Sequence, residues 1–303
     1  MISDDKITEF SQNKKINIKG NLFSLEKPVV MGILNITDDS FFDGGSYNTL
    51  DKALVRAENI INEGAEIIDI GACSTRPGAK LVEKEEEIQR LVPVVKEIRK
   101  RYPNIIISID TVWADVVKAV ADCGADIIND ISGGQFDSNL FDEVAKQKLP
   151  YILMHTNTTP DRMQKEIHYD NLYLDMCKYF SEKINILKDK GVMDIILDLG
   201  FGFGKTLEMN YELLARQKEF SLFRLPILTG ISRKSMIYRP LNLTPQDVIS
   251  ETMFLHALAL GNGADILRVH DVKTTVNCLK LYEKFKVEGL KFNESGCGAN
   301  FKI

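Results

Sequence analysis

Polar and ionisable side chains stand at the end of each of eight short apolar runs in this sequence. They are Asn35, Ser74–Gly78, Asp110, Asn129 with Asp130, His155, Asp198, Ser232–Ser235 and Arg268 with His270 and Asp271. At any single position, a helix cap or a turn residue is at least as good an explanation. A shared site explains the whole set better, although we expect Asp130 and Asp271 to be only structural.

Asp110, Asn129 and Asp198 form the first chemical group within this set. Their carboxylate and amide groups suit a flat heterocycle that carries several N–H donors and ring acceptors. A buried carboxylate without a partner is costly, so either a ligand or a lysine must satisfy it. We expect Lys234 to be that lysine.

The second group is cationic and is expected higher on the rim, at Arg76, Arg233, Arg268 and His270. Such a cluster suits the oxygens of a phosphate or a pyrophosphate. Asn35 could contribute an oxygen ligand to Mg²⁺, which usually holds few protein ligands beside phosphate and water. The sequence therefore indicates a phosphorylated substrate with a heterocyclic part.

The elements that must position these residues are short apolar runs separated by amphipathic segments. The eight strand candidates are Pro28–Ile36, Glu66–Ala72, Ile105–Thr111, Asp126–Ile131, Tyr151–His155, Asp194–Leu199, Pro226–Ile231 and Asp265–His270. They are nearly all apolar rather than alternating, which is typical of parallel strands buried on both faces. The clearest helix is Asp51–Asn62, whose apolar residues fall on one stripe.

A glycine precedes four of the strand candidates in a repeated pattern. Gly64, Gly124 and Gly263 are each followed by Ala, an acidic residue and two aliphatic residues, and Gly191 begins the same pattern with one more residue. Glycine at this position ends a helix in the left-handed conformation before the chain enters a strand. Repeated helix–strand joints favour an α/β protein built as a (β/α)8 TIM barrel. An open doubly wound sheet is the rival, but no GxGxxG opens the first strand–helix turn.

The barrel is expected to fill residues 28–288. Residues 1–27 form an N-terminal extension with a short hairpin, Lys15–Ile18 and Leu22–Leu25, that would cover one end of the barrel. Residues 289–303 contain Gly, Asn and Ser and are expected to form a tail. No linker or second domain is expected.

Charge and composition narrow the possible partners. The net charge of −5 offers no overall attraction for nucleic acid or an acidic membrane. The five cysteines are dispersed without a metal-binding spacing, as expected for reduced thiols. The first residues lack the apolar core of a secretory signal, and no apolar run is long enough to span a bilayer. These features predict a cytoplasmic protein.

Three further features of the sequence are weak evidence for a functional site. Gly200–Lys205 is rich in glycine but lacks the GxxxxGK[ST] spacing of a phosphate-binding loop. His155 and His168 have no metal-ligand spacing with the cysteines, and His168 is expected at the surface. Trp113 is expected to pack rather than to stack on a ligand.

Seven motifs in order resemble those of the dihydropteroate synthases, over about residues 15–285. They are Met31–Phe41 with Asp43–Gly45, then Ser74–Gly78, Ser108–Thr111, Ile127–Asp130, Gly200–Lys205, Ser232–Ser235 and Arg268–Asp271. The resemblance implies a folate-pathway transferase that condenses 6-hydroxymethyl-7,8-dihydropterin pyrophosphate with 4-aminobenzoate, and that is a target of sulfonamides. It also implies Mg²⁺ as the cofactor and a homodimer.

The resemblance also implies roles for individual residues. Asp110, Asn129, Asp198 and Lys234 would bind the pterin ring, Arg268 and His270 the phosphates, and Asn35 the metal. Phe41, Thr75, Arg76, Pro77 and Ser235 would shape the 4-aminobenzoate site, Phe203 would contact substrate, and Asp43 would act within the first loop. Asp43, Lys234, Arg268 and His270 would form the catalytic set. On this basis Arg268→Ala is expected mainly to weaken binding of the pyrophosphate substrate.

The sequence departs from the family pattern at three positions, namely Asp38, Cys73 and Leu199. Two of these flank the loops implied for 4-aminobenzoate, so the response to sulfonamides stays open. Three other functions also stay open. One is a methyltransferase that moves the methyl group of methyltetrahydrofolate to a corrinoid protein, the second is a catalytically silent pterin-binding paralogue, and the third is an unrelated barrel.

Overall fold

The computed structural model describes residues 14–36, 46–72, 82–156 and 167–294, without the side chains of 46–49 and 288–294. Ten strands lie in these ranges, and β1 and β2 form the hairpin. The strands are β1 Lys15–Ile18, β2 Asn21–Ser24, β3 Val29–Asn35, β4 Ile67–Gly71, β5 Ile106–Asp110, β6 Ile127–Asp130, β7 Tyr151–Met154, β8 Ile195–Asp198, β9 Ile227–Thr229 and β10 Ile266–Val269.

Nine α-helices lie in the same ranges, together with the 3₁₀ helix Gln217–Phe223. The helices are α1 Ser46–Asn62, α2 Lys84–Arg101, α3 Ala114–Ala121, α4 Leu140–Gln147, α5 Leu172–Asp189, α6 Leu207–Ala215, α7 Ser235–Tyr238, α8 Ile249–Gly261 and α9 Val272–Glu294. Helix α1 begins before the predicted Asp51, and α9 continues past residue 288, where the tail was expected to begin. Within the described ranges, no helix is both long and apolar enough to cross a membrane.

Strands β3 to β10 form a closed parallel barrel in chain order, with β10 pairing to β3. All eight predicted barrel strands are present, each one to three residues shorter than its apolar run. Closure is possible because every strand is followed by a segment that returns the chain to the start of the next. The (β/α)8 barrel with an N-terminal hairpin is therefore confirmed, and the open sheet is excluded.

Side chains alternate between the two faces of each barrel strand, so the barrel has two separate apolar cores. Outward residues such as Ile68 and Ile107 pack under the helices in one large cluster. Inward residues near the amino ends of the strands, such as Ile67, Ile106 and Ile266, form a second cluster on the barrel axis. This second cluster fills the lower barrel and leaves polar side chains for the upper part.

The hairpin closes the lower end of the barrel, as predicted. Ile16 and Leu25 are fully buried against the inner cluster. Lys14 forms an ion pair with Asp265 at 3.0 Å, and Lys19 forms one with Asp126 at 2.7 Å. The hairpin is therefore held by apolar burial and by charges at the amino ends of two strands.

The repeated glycine joints have the backbone that the sequence predicted. Gly64, Gly124, Gly191 and Gly263 all have φ between +86° and +102°, which favours glycine. The acidic residue of the pattern also has a repeated role. Asp126 Oδ2 accepts the backbone N–H of Ile107 at 2.9 Å, and Asp265 Oδ2 accepts that of Ile227 at 2.9 Å. Each of these carboxylates thus ties its own strand to the preceding one.

Candidate functional site

The inward face of the barrel changes from apolar to polar towards the carboxyl ends of its strands. Along β5 the inward residues are Ile106, Ser108 and Asp110, and along β10 they are Ile266 and Arg268. Because the lower layer is filled by aliphatic side chains, the polar groups meet in the upper half of the barrel. This is the end at which barrel enzymes bind their ligands.

Arg268 lies at the centre of this polar layer rather than high on the rim, which corrects the sequence-based placement. Its Nε donates to Asp69 Oδ2 at 2.6 Å, and its Nη2 donates to Asp110 Oδ2 at 2.9 Å. The physical reason is strand periodicity, because residue 268 has the same inward orientation as Ile266 one step below. Arg268 therefore forms ion pairs with two buried carboxylates at once, although its single positive charge balances only one of them.

Lys234 was expected to be the partner of the buried carboxylates; in the described structure it is the largest charged influence on the pKa of Asp198, without a direct ion pair. Among the described residues, no carboxylate lies within ion-pair distance of the Lys234 ammonium. The ammonium instead donates to the carbonyl of Phe201 and lies 4.6 Å from the centre of the Phe203 ring. Burial lowers the pKa of Lys234 to about 8, and Asp198 partly opposes this shift.

Asp69 is the main site residue that sequence reasoning missed. It is fully buried, and its carboxylate accepts hydrogen bonds from Ser108 Oγ at 2.7 Å and from Asn129 Nδ2 at 3.1 Å, in addition to Arg268. Asp69 lies inside β4 and not at its end. The sequence-based prediction considered only polar residues at strand ends and therefore missed it. A single charged residue within the run Ile67–Gly71 was the available signal.

Asp110 stands beside Arg268 but is not held strongly in its ionised form. Burial raises the pKa of Asp110 to about 7, Arg268 opposes the rise, and the neighbouring Asp69 adds to it. Asn129 completes this side of the site, and its Oδ1 is buried without a hydrogen-bond partner in the described structure. The pair therefore offers one carboxyl group and one free amide oxygen to a ligand.

Asp198 closes the other side of the polar layer. Its Oδ1 accepts the backbone N–H of Gly200 at 2.8 Å. Burial raises the pKa of Asp198, and Lys234 is the largest opposing influence. The residues that follow, Gly200–Lys205, are called here the glycine loop; it carries Phe203 towards the Lys234 side chain.

His270 and Arg233 lie near each other at the upper rim. His270 Nδ1 is 3.2 Å from Ser232 Oγ, and partial desolvation together with Arg268 and Arg233 lowers the pKa of His270 to about 4. Arg233 forms two hydrogen bonds to Asp271, at 2.8 and 2.5 Å. The guanidinium of Arg233 is thus engaged by the protein, whereas the His270 imidazole is neutral at pH 7.

Asp130, His155 and Asp271 follow strands but have structural roles. Asp130 accepts the backbone N–H groups of Ser132 and Gly134, each at 2.6 Å, and the hydroxyl of Tyr151, so it caps the turn after β6. His155 is 2% exposed and packs edge-on against Tyr179 at 4.8 Å between ring centroids. The expectation for Asp130 is confirmed, as it is for Asp271, which pairs with Arg233.

The remaining predicted site residues fall into two sets. Asn35 ends β3 at the mouth of the barrel and is exposed, and Ser235 begins α7 beside Lys234. Phe41, Asp43, Thr75, Arg76 and Pro77 lie outside the described residues. His168 is exposed and Trp113 packs on the outer cluster, as expected.

No group of three or more His, Cys, Asp or Glu residues that could hold a metal ion by themselves occurs in the described ranges. Mg²⁺ often binds only one or two protein oxygens beside phosphate and water, because it dehydrates reluctantly. Asn35 is exposed at the end of β3, and its amide oxygen is of a type that can serve as such a ligand.

Comparisons with known proteins agree with this geometry. A family model described as pterin binding enzyme matches residues 31–270. The dihydropteroate synthase of Escherichia coli K12 is 44% identical over 271 residues, which cover 89% of this chain and 95% of that protein.

Solved structures show the same relationship. A Yersinia pestis dihydropteroate synthase in a sulfonamide drug complex has a TM-score of 0.84 at 42% identity, covering 90% of this chain and 99% of that chain. A Xanthomonas albilineans dihydropteroate synthase with 4-aminobenzoic acid has a TM-score of 0.82 at 33% identity, covering 90% and 98%.

Proposed function

Because this chain belongs to the family of pterin-binding enzymes and is a dihydropteroate synthase, we propose that its strand-end residues divide the two substrates between them. The reaction joins 6-hydroxymethyl-7,8-dihydropterin pyrophosphate to 4-aminobenzoate and yields 7,8-dihydropteroate and pyrophosphate. The observation that supports the division is the polar layer around Arg268, which lies directly above an apolar barrel floor.

The pterin ring is assigned to Asp110, Asn129, Asp198 and Lys234. The ring presents N–H donors and acceptors in one plane, and these four side chains present carboxylate, amide and ammonium groups at or after the carboxyl ends of their strands. The unpartnered Oδ1 of Asn129 supports this assignment, because a buried acceptor without a donor is costly until a ligand supplies one. Phe203 would contact the ring from the glycine loop.

The pyrophosphate is assigned to the rim above the ring, at His270 and Arg268. Arg268 has its guanidinium committed to Asp69 and Asp110, so its contribution is mainly the positive charge that it holds beneath the rim. Asn35 would hold Mg²⁺ through its amide oxygen. When bound, that cation would draw negative charge from the departing pyrophosphate.

4-Aminobenzoate is assigned to Phe41, Thr75, Arg76, Pro77 and Ser235. The support for this comes from relatives, since the Xanthomonas albilineans enzyme binds 4-aminobenzoic acid and the Yersinia pestis enzyme binds a sulfonamide drug. Of these residues, Ser235 is the one that the structure describes, and it lies next to the proposed ring ligand Lys234. This proximity would bring the amine close to the carbon that it attacks.

The chain's residues would act mainly by positioning and by charge. The carbon–oxygen bond to pyrophosphate breaks and leaves a cation-like methylene on the pterin. The arylamine nitrogen then attacks this carbon and loses one proton to solvent, so the products are dihydropteroate, pyrophosphate and a proton. Carboxylates beneath the ring, at Asp110 and Asp198, would stabilise the positive charge that develops there. A neutral aromatic amine needs orientation rather than a strong base. Asp43 would act from the first loop.

The test is pyrophosphate release from the dihydropterin substrate with Mg²⁺, measured with and without 4-aminobenzoate. Release coupled to dihydropteroate formation, and inhibited competitively by a sulfonamide, is the expected outcome. Retained pterin binding without turnover would instead indicate a silent paralogue. Absence of pterin binding would remove the ring assignment altogether.

A homodimer is also proposed, through an apolar surface on α8 and α9. Phe254 and Leu258 lie one turn apart on α8, and Leu281 and Phe285 lie one turn apart on α9; these four side chains are 44 to 75% exposed. Exposed apolar side chains concentrated on two adjacent helices are typical of subunit interfaces. Sedimentation should show a dimer for the natural chain and a monomer for Phe254→Glu combined with Phe285→Glu.

A cytoplasmic location is proposed from the cysteines. Cys123, Cys177 and Cys278 are free thiols in the described structure, and such thiols persist in a reducing compartment. Fractionation of cells that express the chain, followed by detection with an antibody, would test the location.

A further inference from the structure

Lys205 is a buried lysine at the end of the glycine loop, and none of the assignments above uses it. It is 6% exposed. Within the described structure, no carboxylate forms an ion pair with its ammonium, which hydrogen bonds to backbone carbonyls alone. A buried charge without a direct counter-ion is costly, so its presence calls for a physical explanation.

The ammonium of Lys205 joins two separate segments of chain. It donates to Gly200 O at 2.9 Å and to Phe203 O at 3.1 Å within the glycine loop, and to His155 O at 3.4 Å at the end of β7. Three carbonyl oxygens therefore converge on one cation. The loop can adopt this tight shape because Gly200 has φ +66°, and a side chain there would overlap the His155 carbonyl oxygen.

The glycine loop in turn contacts the proposed ring ligands. The N–H of Gly200 donates to Asp198, and Lys234 donates to Phe201 O while its ammonium lies over the ring of Phe203. A change in the shape of this loop would therefore move two proposed ring contacts, Phe203 and Lys234, at the same time.

The charges around the glycine loop are consistent with this geometry. Inside the barrel, three carboxylates among the described residues, Asp69, Asp110 and Asp198, face two cations, Arg268 and Lys234. Lys205 adds a third cation on the side of Asp198. Burial raises the pKa of Asp198, and Lys205 is the smallest of the influences that oppose this rise, after Lys234, the Gly200 N–H and Arg268. Burial also lowers the pKa of Lys205 itself to about 7.

We propose that Lys205 is a positioning residue for the pterin ring: its ammonium fixes the glycine loop, which carries Phe203 against Lys234 and donates the Gly200 N–H to Asp198. This inference rests on the proposed ring assignment. The groups that face Lys205 from neighbouring elements are Asp198 on β8, Lys234 after β9 and the neutral His155 after β7. Loss of the Lys205 charge would thus act first on Asp198. In the proposed complex the ionised Asp198 carboxylate accepts hydrogen bonds from the N–H groups of the ring.

The experiment is calorimetric binding of 6-hydroxymethyl-7,8-dihydropterin to the full chain from pH 5 to 9 (about two units on each side of neutrality). For Lys205→Met we expect about tenfold weaker binding at pH 7, which corresponds to about 1.4 kcal/mol. The acid side of its profile should move to higher pH, because loss of a cation raises the pKa of a neighbouring carboxyl. Lys218→Met removes an exposed lysine and should match the natural chain.

A second variant separates positioning from folding. Lys205→Ala should recover ring affinity when n-propylammonium is added, because a primary ammonium can occupy the space among the three carbonyls. Tetramethylammonium at equal ionic strength has no N–H donor and should give no recovery. Thermal melting of both variants would be recorded in parallel.

The outcomes are distinct. Natural affinity and an unshifted pH profile in Lys205→Met would overturn the proposal. Loss of folding in both variants, with or without the amine, would also overturn it and make Lys205 a folding residue. If the natural chain itself fails to bind the pterin, the ring assignment fails, and the proposal for Lys205, which rests on it, fails with it.

Discussion

Arg268 and the two carboxylates that it joins show how this barrel keeps charge in its interior. Asp69 is fully buried and Asp110 nearly so, and each would be costly without a cation close by. The guanidinium satisfies both carboxylates at once through separate nitrogens. Because the carboxylates are already held in place, little reorganisation is needed when a ligand with N–H donors arrives.

The first prediction at this scale concerns Asp110. Asp110→Asn keeps the shape of the side chain but removes its charge, and it should weaken binding of 6-hydroxymethyl-7,8-dihydropterin by about tenfold or more. Titration calorimetry at pH 8 measures this, since the carboxyl with its pKa of about 7 is then mostly ionised. Asp115→Asn, at a surface ion pair on α3, is the matched control. Equal affinity in both variants would remove Asp110 from the ring site.

The second prediction revises the expectation for Arg268. The sequence suggested that Arg268→Ala weakens mainly the pyrophosphate substrate. In the structure this change leaves Asp69 and Asp110 buried without their cation, so we expect destabilisation by about 3–5 kcal/mol and weaker binding of the bare pterin alcohol as well. Denaturant unfolding and calorimetry measure the two effects. Arg268→Lys, which keeps the charge, should recover part of both, and loss confined to the pyrophosphate substrate would contradict the interior role.

At the scale of elements, the glycine loop is a segment whose shape is constrained by its neighbours on both sides. It leaves β8 at Asp198, turns under the carbonyl of His155 and returns to α6 through Thr206, which caps that helix by accepting the N–H of Met209 at 3.2 Å. Contacts to β7 and to Lys234 hold both of its sides. The loop therefore has the rigidity that a ligand contact requires.

The third prediction uses two glycines with similar backbones. Gly200→Ala should destabilise the fold by several kcal/mol, since its Cβ would overlap the His155 carbonyl and the loop would have to move. Gly191→Ala shares a positive φ but meets no atom within 4 Å, so it should cost only about 1 kcal/mol. Chemical denaturation compares them. Equal losses would show that backbone conformation alone, and not the close approach, constrains Gly200.

At the scale of the whole molecule, His256 links stability to pH. It lies in α8, is fully buried, and neither ring nitrogen has a hydrogen-bond partner in the described structure. Burial lowers the pKa of His256 to about 4 from its usual 6.5. A group with a lowered folded pKa binds fewer protons in the folded state, so stability is lost as the pH falls from about 6.5 towards about 4.

The fourth prediction follows from that sign. His256→Leu should flatten the loss of unfolding free energy between pH 7 and pH 4, by up to about 3 kcal/mol. Urea unfolding at a series of pH values measures it. His168→Gln alters an exposed histidine and should leave the profile of the natural chain unchanged. An identical pH profile for His256→Leu would mean that this histidine does not limit acid stability.

Sequence reasoning was most successful where the signal is local. The hairpin, the eight barrel strands and the left-handed joint at Gly124 follow from short patterns of apolar residues and glycine. It was less successful for pairing, since it missed the ion pair of Arg268 with Asp69 and placed Arg268 high on the rim. Both errors concern residues that are far apart in the chain, at a separation of 199 for Arg268 and Asp69.

The sequence by itself determined the order and type of the elements, the family and the strands that carry chemistry, because each depends on neighbours along the chain. Only the tertiary structure decided which side chains meet inside the barrel. Barrel closure sets the height of every inward residue, and that height brings Asp69 to Arg268 and leaves Lys205 among three carbonyls. The energies of such contacts depend on burial and distance, which the strand pattern alone does not contain.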